Sequence, residues 1–152
     1  FHPLHSCIDN IVHSRSGVQL RLLCYDIMRG QGHEEPTGQA KITPAFNLPG
    51  KYILHTVGPV IYGPVSEQDC EALASCYRSC LELAVENSCQ SIAFCCISTG
   101  EFHFPNEKAA EIAVQTVTSF LNTHEQSIRV IFNVFKDVDL HIYQKLLGGS
   151  RW

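Results

Sequence analysis

Basic charge is scarce in this chain: 11 lysines and arginines stand against 15 aspartates and glutamates, for a net charge of −4. That balance argues against general binding to nucleic acid or to an anionic membrane, since neither gains from a negative field. No apolar run approaches the ~18 residues of a membrane-spanning helix, and no stretch reads as a secretory signal. Repeats and linkers are also missing. Ser98-Thr99-Gly100 is the small-residue loop best placed to hold phosphate, and no Lys-Ser or Lys-Thr pair follows its glycine. That argues against an ATP-type P-loop.

What is present is enough for a folded unit. With 152 residues, 45% hydrophobic and 17% charged, residues 1–152 read as a single domain able to bury a core. Cysteine is plentiful, at eight, but its placement is not that of a disulfide scaffold. Cys76 and Cys80 fall one helical turn apart on an apolar face, and Cys95 and Cys96 fall inside a strand. These are positions of small buried hydrophobes, and a reducing, cytoplasmic setting follows.

The periodicity predicts helix from Ser6 to about Met28, interrupted at Gly17. Ser6 followed by Asp9 resembles a capping box. A glycine- and proline-bearing loop covers 29–38, and strands are expected at 40–43 and 51–57. A helix starts at Ser66, with Leu73, Cys76, Tyr77, Cys80, Leu81, Ala84 and Val85 stepping by three and four. Ser91–Ile97 reads as an apolar strand buried on both faces. A helix over 105–122 turns Ile112, Ala113, Val117, Phe120 and Leu121 inward, then come a strand at 127–134 and a helix at 137–147. Strands alternating with helices predict a mostly parallel sheet covered on both faces.

The stretch Ile97-Ser98-Thr99-Gly100-Glu101-Phe102-His103-Phe104-Pro105 leaves the apolar strand and feeds a helix, the place where open α/β sheets collect ligands. Its backbone N–H groups have no ladder partner and can point at phosphate oxygens. Gly100 admits a close backbone approach, and Phe102 and Phe104 can wall off a ligand.

Two further stretches sharpen the reading. Gly38-Gln39-Ala40-Lys41-Ile42-Thr43-Pro44-Ala45-Phe46-Asn47-Leu48-Pro49 runs into Lys51-Tyr52-Ile53-Leu54-His55-Thr56-Val57-Gly58-Pro59. With the Ser-Thr-Gly loop, in that order, they resemble the macrodomain family, modules that bind ADP-ribose. The opening His2-Pro3-Leu4-His5-Ser6-Cys7-Ile8-Asp9-Asn10 resembles its zinc-dependent protein-ADP-ribose hydrolase branch, and the resemblance covers essentially the whole chain.

The resemblance implies a three-layer α/β/α macrodomain with a mixed, mostly parallel sheet. It also implies two strands and a helix ahead of Phe1, carrying a Gly-Asp pair for adenine and an Asn-Ala-Ala-Asn run for the distal ribose. Neither occurs here, so the expected domain lacks its N-terminal strands. The implied activity is zinc-assisted removal of mono-ADP-ribose from modified protein side chains, most often acidic ones. Two alternatives share the pocket: a module that reads ADP-ribose without cleaving it, and a hydrolase of O-acetyl-ADP-ribose-type metabolites.

The implied site residues follow. Ser98, Thr99, Gly100, Glu101 and Phe102 match the diphosphate and distal-ribose loop, with Glu101 replacing a residue that is usually apolar. Such a carboxylate must point away from the diphosphate or toward a metal. His5 and Cys7 match two zinc ligands, and a third, a cysteine, is expected immediately before Phe1. By spacing alone Cys7 reads as a small buried residue and His5 as a surface one. Asp9 matches an acidic residue that orients water or holds the ribose, or it simply stabilises the helix start. Phe135 matches an aromatic stacked on the adenine or its ribose, with core packing as the competing role. His2 is read as solvent-facing, and His55 as a satisfied core histidine.

Overall fold

The structure, a computed structural model, describes residues 7–124 and 128–148. Helix α1 spans Ile8–Ser16 and α2 spans Val18–Gln31. They are two helices because Gly17 sits at φ 97°, ψ 178°, a region closed to side-chain-bearing residues. A β-carbon there would also stand 2.8 Å from Asn47 Nδ2. The expected break at Gly17 is therefore real. The expected Ser6 cap falls outside the described residues; the residue in N-cap position is Cys7, in extended conformation and with no side-chain cap bond.

Strands β1 (Ala40–Pro44) and β2 (Tyr52–Thr56) form an antiparallel pair with Ala40 opposite Thr56. Gly38, at φ 87°, leads into it, and its carbonyl accepts from Ser75 Oγ at 3.0 Å and Ser79 Oγ at 2.8 Å. The start of the Gly38–Pro49 stretch is thus tied down by two serine hydroxyls. Helix α3, Glu67–Glu86, opens on a full capping box in which Ser66 and Asp69 exchange bonds. Strand β3 (Ser91–Phe94) runs parallel to β4 (Arg129–Phe132), and helices α4 (Asn106–Thr123) and α5 (Asp137–Leu146) complete the order.

Pairing is mixed, as expected, but among the described residues it forms two separate two-stranded sheets, one antiparallel and one parallel. Helix α3 contacts β1, β2, β3 and α4, so it is the common spine. Strand β3 is shorter than its apolar run. Ile92 and Phe94 are buried while Ser91 and Ala93 are exposed, so the expected burial on both faces does not hold among the described residues. Cys95–Ile97 have left the strand to begin the next loop.

The core gathers Leu73, Tyr77, Leu81, Phe94, Phe104 and Phe120, each worth roughly 1.5–3 kcal/mol of burial. Tyr77 packs against Phe94 and Phe132 against Tyr143, each with ring centroids 4.9 Å apart. Helix faces were only partly legible. α3 and α4 bury their periodic positions, whereas Ile8, Ile11, Val18 and Leu22 are exposed, and α1 buries His13 and Ser16. Among the described residues no helix is long and apolar enough to cross a membrane.

Candidate functional site

The loop after β3 is held in one shape by its own backbone. Ser98 and His103 lie in the left-handed region at φ 64° and 58°, which is unfavourable for a residue with a β-carbon. Phe104 N–H donates to the Ser98 carbonyl at 2.9 Å and His103 N–H to the Gly100 carbonyl at 3.1 Å, closing the turn. Thr99 Oγ1 donates to the Cys96 carbonyl at 3.1 Å. These bonds leave the N–H groups of Gly100, Glu101 and Phe102 without a partner among the described residues. The Ser98 hydroxyl is likewise buried and unpartnered there. Nothing lies within 4 Å of a β-carbon built on Gly100, so the ground above the loop is open.

The segment after β2 braces this loop. Ile61 N–H donates to the Phe102 carbonyl at 2.9 Å, and Gly58 is pressed against Ser98 and Ile97. Glu101 is exposed. Phe102 is half-buried and can border a ligand. Phe104 cannot: it is 1% exposed and belongs to the core, because the turn closed at Ser98 drives it under the loop.

Phe135 follows β4 and is 98% exposed. Core packing is therefore excluded, and both ring faces are open. Two residues that the sequence patterns did not single out tie this region down. Asn106 opens α4, Asp139 lies in the first turn of α5, and Asn106 Nδ2 donates to Asp139 Oδ1 at 2.6 Å. The signal that could have found them is a polar residue in the opening turn of each helix that follows a strand-end loop.

A third group lies on α1. Cys7 is half-buried at the helix N-terminus. His5 and His2 lie outside the described residues. Asp9 is exposed in the first turn of α1, and its carboxylate stands 3.6 Å from Nε2 of His13, one turn on. His13 is buried, and its ring is 6.4 Å from that of His55. Burial pushes the His13 imidazole below its usual value, against the opposing pull of Asp9. Burial, and then the charge of His13, does the same for His55. His55 Nε2 shares a 2.9 Å hydrogen bond with Thr43 Oγ1, so it is satisfied as the sequence predicts, but it is half-buried on β2 rather than part of the core.

This strand–loop–helix arrangement has close counterparts. The pattern of the macro domain family matches residues 2–113. The chain belongs to that family. A protein-ADP-ribose hydrolase of Treponema medium is 58% identical over 148 residues, 97% of this chain and 57% of the relative. One of Staphylococcus aureus (strain MSSA476) is 55% identical over 142 residues, 93% of this chain and 53% of the relative. The chain thus spans about half the length of these relatives. A variant of the Oceanobacillus iheyensis macrodomain with ADP-ribose superposes with a TM-score of 0.87 at 36% identity, over 95% of this chain and 77% of that one.

Within this macrodomain the donors suited to a metal are unevenly placed. Among the described residues no three His, Cys, Asp or Glu side chains gather where they could hold one ion. Cys7 has the right chemistry, a soft thiol at a helix N-terminus, but it needs imidazole or thiolate partners from outside the described residues. None of the eight cysteines is in a disulfide.

Proposed function

We propose that this macrodomain binds ADP-ribose and hydrolyses mono-ADP-ribose from modified protein side chains, with an ester to an acidic residue as the preferred bond. The observation that carries the reading is the closed Ser98–Phe104 turn, whose N–H groups at Gly100, Glu101 and Phe102 have no partner among the described residues. Three unpaired backbone donors in one turn make a cradle for diphosphate oxygens. Ser98 Oγ and Thr99 edge that cradle, and Phe135 offers a flat face to the adenosine end. The 58% and 55% identities to proteins named as protein-ADP-ribose hydrolases support the activity.

Binding energy at the diphosphate and the base positions the ribose–side-chain bond next to α1. There Asp9 would orient the attacking water or hold a ribose hydroxyl. Cys7 and His5 would be two ligands of a zinc ion, with a further ligand outside the described residues. When bound, zinc supplies Lewis-acid polarisation at the ribose end. Hydrolysis consumes water, breaks the bond between the distal ribose and the side chain, and returns free ADP-ribose and an unmodified side chain. Eight cysteines with none in a disulfide suit a reducing compartment, the cytoplasm.

The test is release of ADP-ribose from a mono-ADP-ribosylated protein, followed by mass spectrometry, with and without a chelator. Cys7→Ala is expected to lose zinc and hydrolysis together while keeping ADP-ribose affinity through the phosphate loop. Full activity of Cys7→Ala after chelation would remove zinc from the mechanism. Tight ADP-ribose binding with no release under any metal condition would leave a reader module instead.

A further inference from the structure

The loop carrying Ser98–Phe102 and the turn carrying Phe135 are joined at both ends. At one end Asn133 N–H donates to the Phe94 carbonyl at 2.7 Å, just where β3 and β4 finish together. At the other, Asn106 Nδ2 donates to Asp139 Oδ1 at 2.6 Å. The two arcs between these ties, 95–105 and 134–138, carry the groups assigned above to the diphosphate and to the base.

Phe135 is 98% exposed, so side-chain packing does not fix its ring. Its position relative to the phosphate loop is set by the backbone of its arc, and hence by the two ties. Asp139, by contrast, is 4% exposed. Burying a carboxyl group is costly unless hydrogen bonds and a favourable helix terminus offset it. Cohesion does not rest on this bond alone, since α4 and α5 are in contact and Tyr143 of α5 also packs on Phe132 of β4. A buried polar bond in such a place adds registry more than adhesion.

We propose that Asn106 and Asp139 are positioning residues that close this frame, so that the Phe135 ring meets a nucleotide held by the Ser98–Phe102 loop only while their hydrogen bond stands. The inference rests on the ADP-ribose reading of that loop. It identifies a determinant of affinity at the base end that neither touches the ligand nor lies in the loop.

Titration calorimetry with ADP-ribose on the chain and its variants tests it. Phe135→Ala is expected to weaken binding about tenfold, in the range for one lost base–aromatic stack. In an Asn106→Ala background the same Phe135→Ala change should cost less than about twofold, the non-additivity expected of coupled residues. Asp139→Asn, made with Asn106 intact, keeps an acceptor oxygen and should retain the full Phe135→Ala loss, whereas Asp139→Leu, which fills the space but offers no acceptor, should shrink that loss as Asn106→Ala does. If Asp139→Ala fails to fold, the Asn106→Ala and Asp139→Asn pair still decides. A Phe135→Ala loss equally large with and without the Asn106 amide overturns the frame and leaves the loop assignment intact. So does an unmodified chain that binds ADP-ribose but is indifferent to Phe135→Ala. Failure of the unmodified chain to bind ADP-ribose overturns the loop assignment and the frame together.

Discussion

Gly58 and Ser98 lie so close that a β-carbon on residue 58 would overlap the Ser98 hydroxyl and come within 2.8 Å of Ile97 Cγ2. The glycine is needed for room: it lets the segment after β2 lie against the turn that holds the left-handed Ser98. Gly58→Ala should therefore destabilise the fold by roughly 1–3 kcal/mol, the usual cost of overpacking, and lower ADP-ribose affinity as well. Urea denaturation reads the first and calorimetry the second; an unchanged midpoint would show that the loop yields freely.

Gly100 is the opposite case. A side chain there meets nothing within 4 Å, so Gly100→Glu should leave stability within about 0.5 kcal/mol, as for an ordinary surface change. Its carboxylate would stand where the diphosphate is proposed to sit. Affinity for ADP-ribose should fall at least tenfold, about 1.4 kcal/mol or more. Undiminished affinity in a folded Gly100→Glu protein would remove the phosphate site from this loop.

His13 and His55 make stability pH-dependent in a definite direction. Both imidazoles are held below the ordinary histidine value of about 6.5, chiefly by burial. The unfolded chain therefore binds more protons than the folded one as pH drops through about 6.5. Their contribution is fully present above that value and is lost as pH falls toward the lower folded-state values. The urea midpoint should fall between pH 7.5 and 5, and a His55→Gln variant should flatten part of that slope. A midpoint that rises on acidification would contradict the burial of this pair.

The thiols act at the other end of the scale. Burial drives Cys80 and Cys96 up to about 12 and raises Cys76 and Cys95 as well. The unfolded chain loses these protons near its ordinary thiol value of ~8.5 while the folded one keeps them, so their contribution is present below that value and fades as pH rises. At neutral pH these four should resist a thiol reagent and be modified only on unfolding. Rapid modification in the native protein, or a disulfide among them, would overturn their burial.

Residue order alone was enough to place every element found among the described residues, because the cues are local. Gly17 breaks the first helix, the three-and-four stepping of Leu73 to Ala84 marks α3, and Ser66 caps it. The phosphate-loop candidate was legible for the same reason: a strand, three small residues and a helix start are consecutive. What only the tertiary structure decided depends on segments far apart in the chain. Phe104 and Phe135 are the same residue type in similar strand-end loops, yet one is core and the other almost wholly exposed, because the Ser98 turn folds the first inward. His13 reads as one more polar position on α1 until β2 brings His55 to within 6.4 Å of it. Gly58 against Ser98, and Asn106 against Asp139, are contacts between segments separated by 33 residues or more. Hydrophobic period and turn chemistry act over a few residues and so can be read along the chain; burial and hydrogen-bond partnership depend on what the finished fold sets alongside.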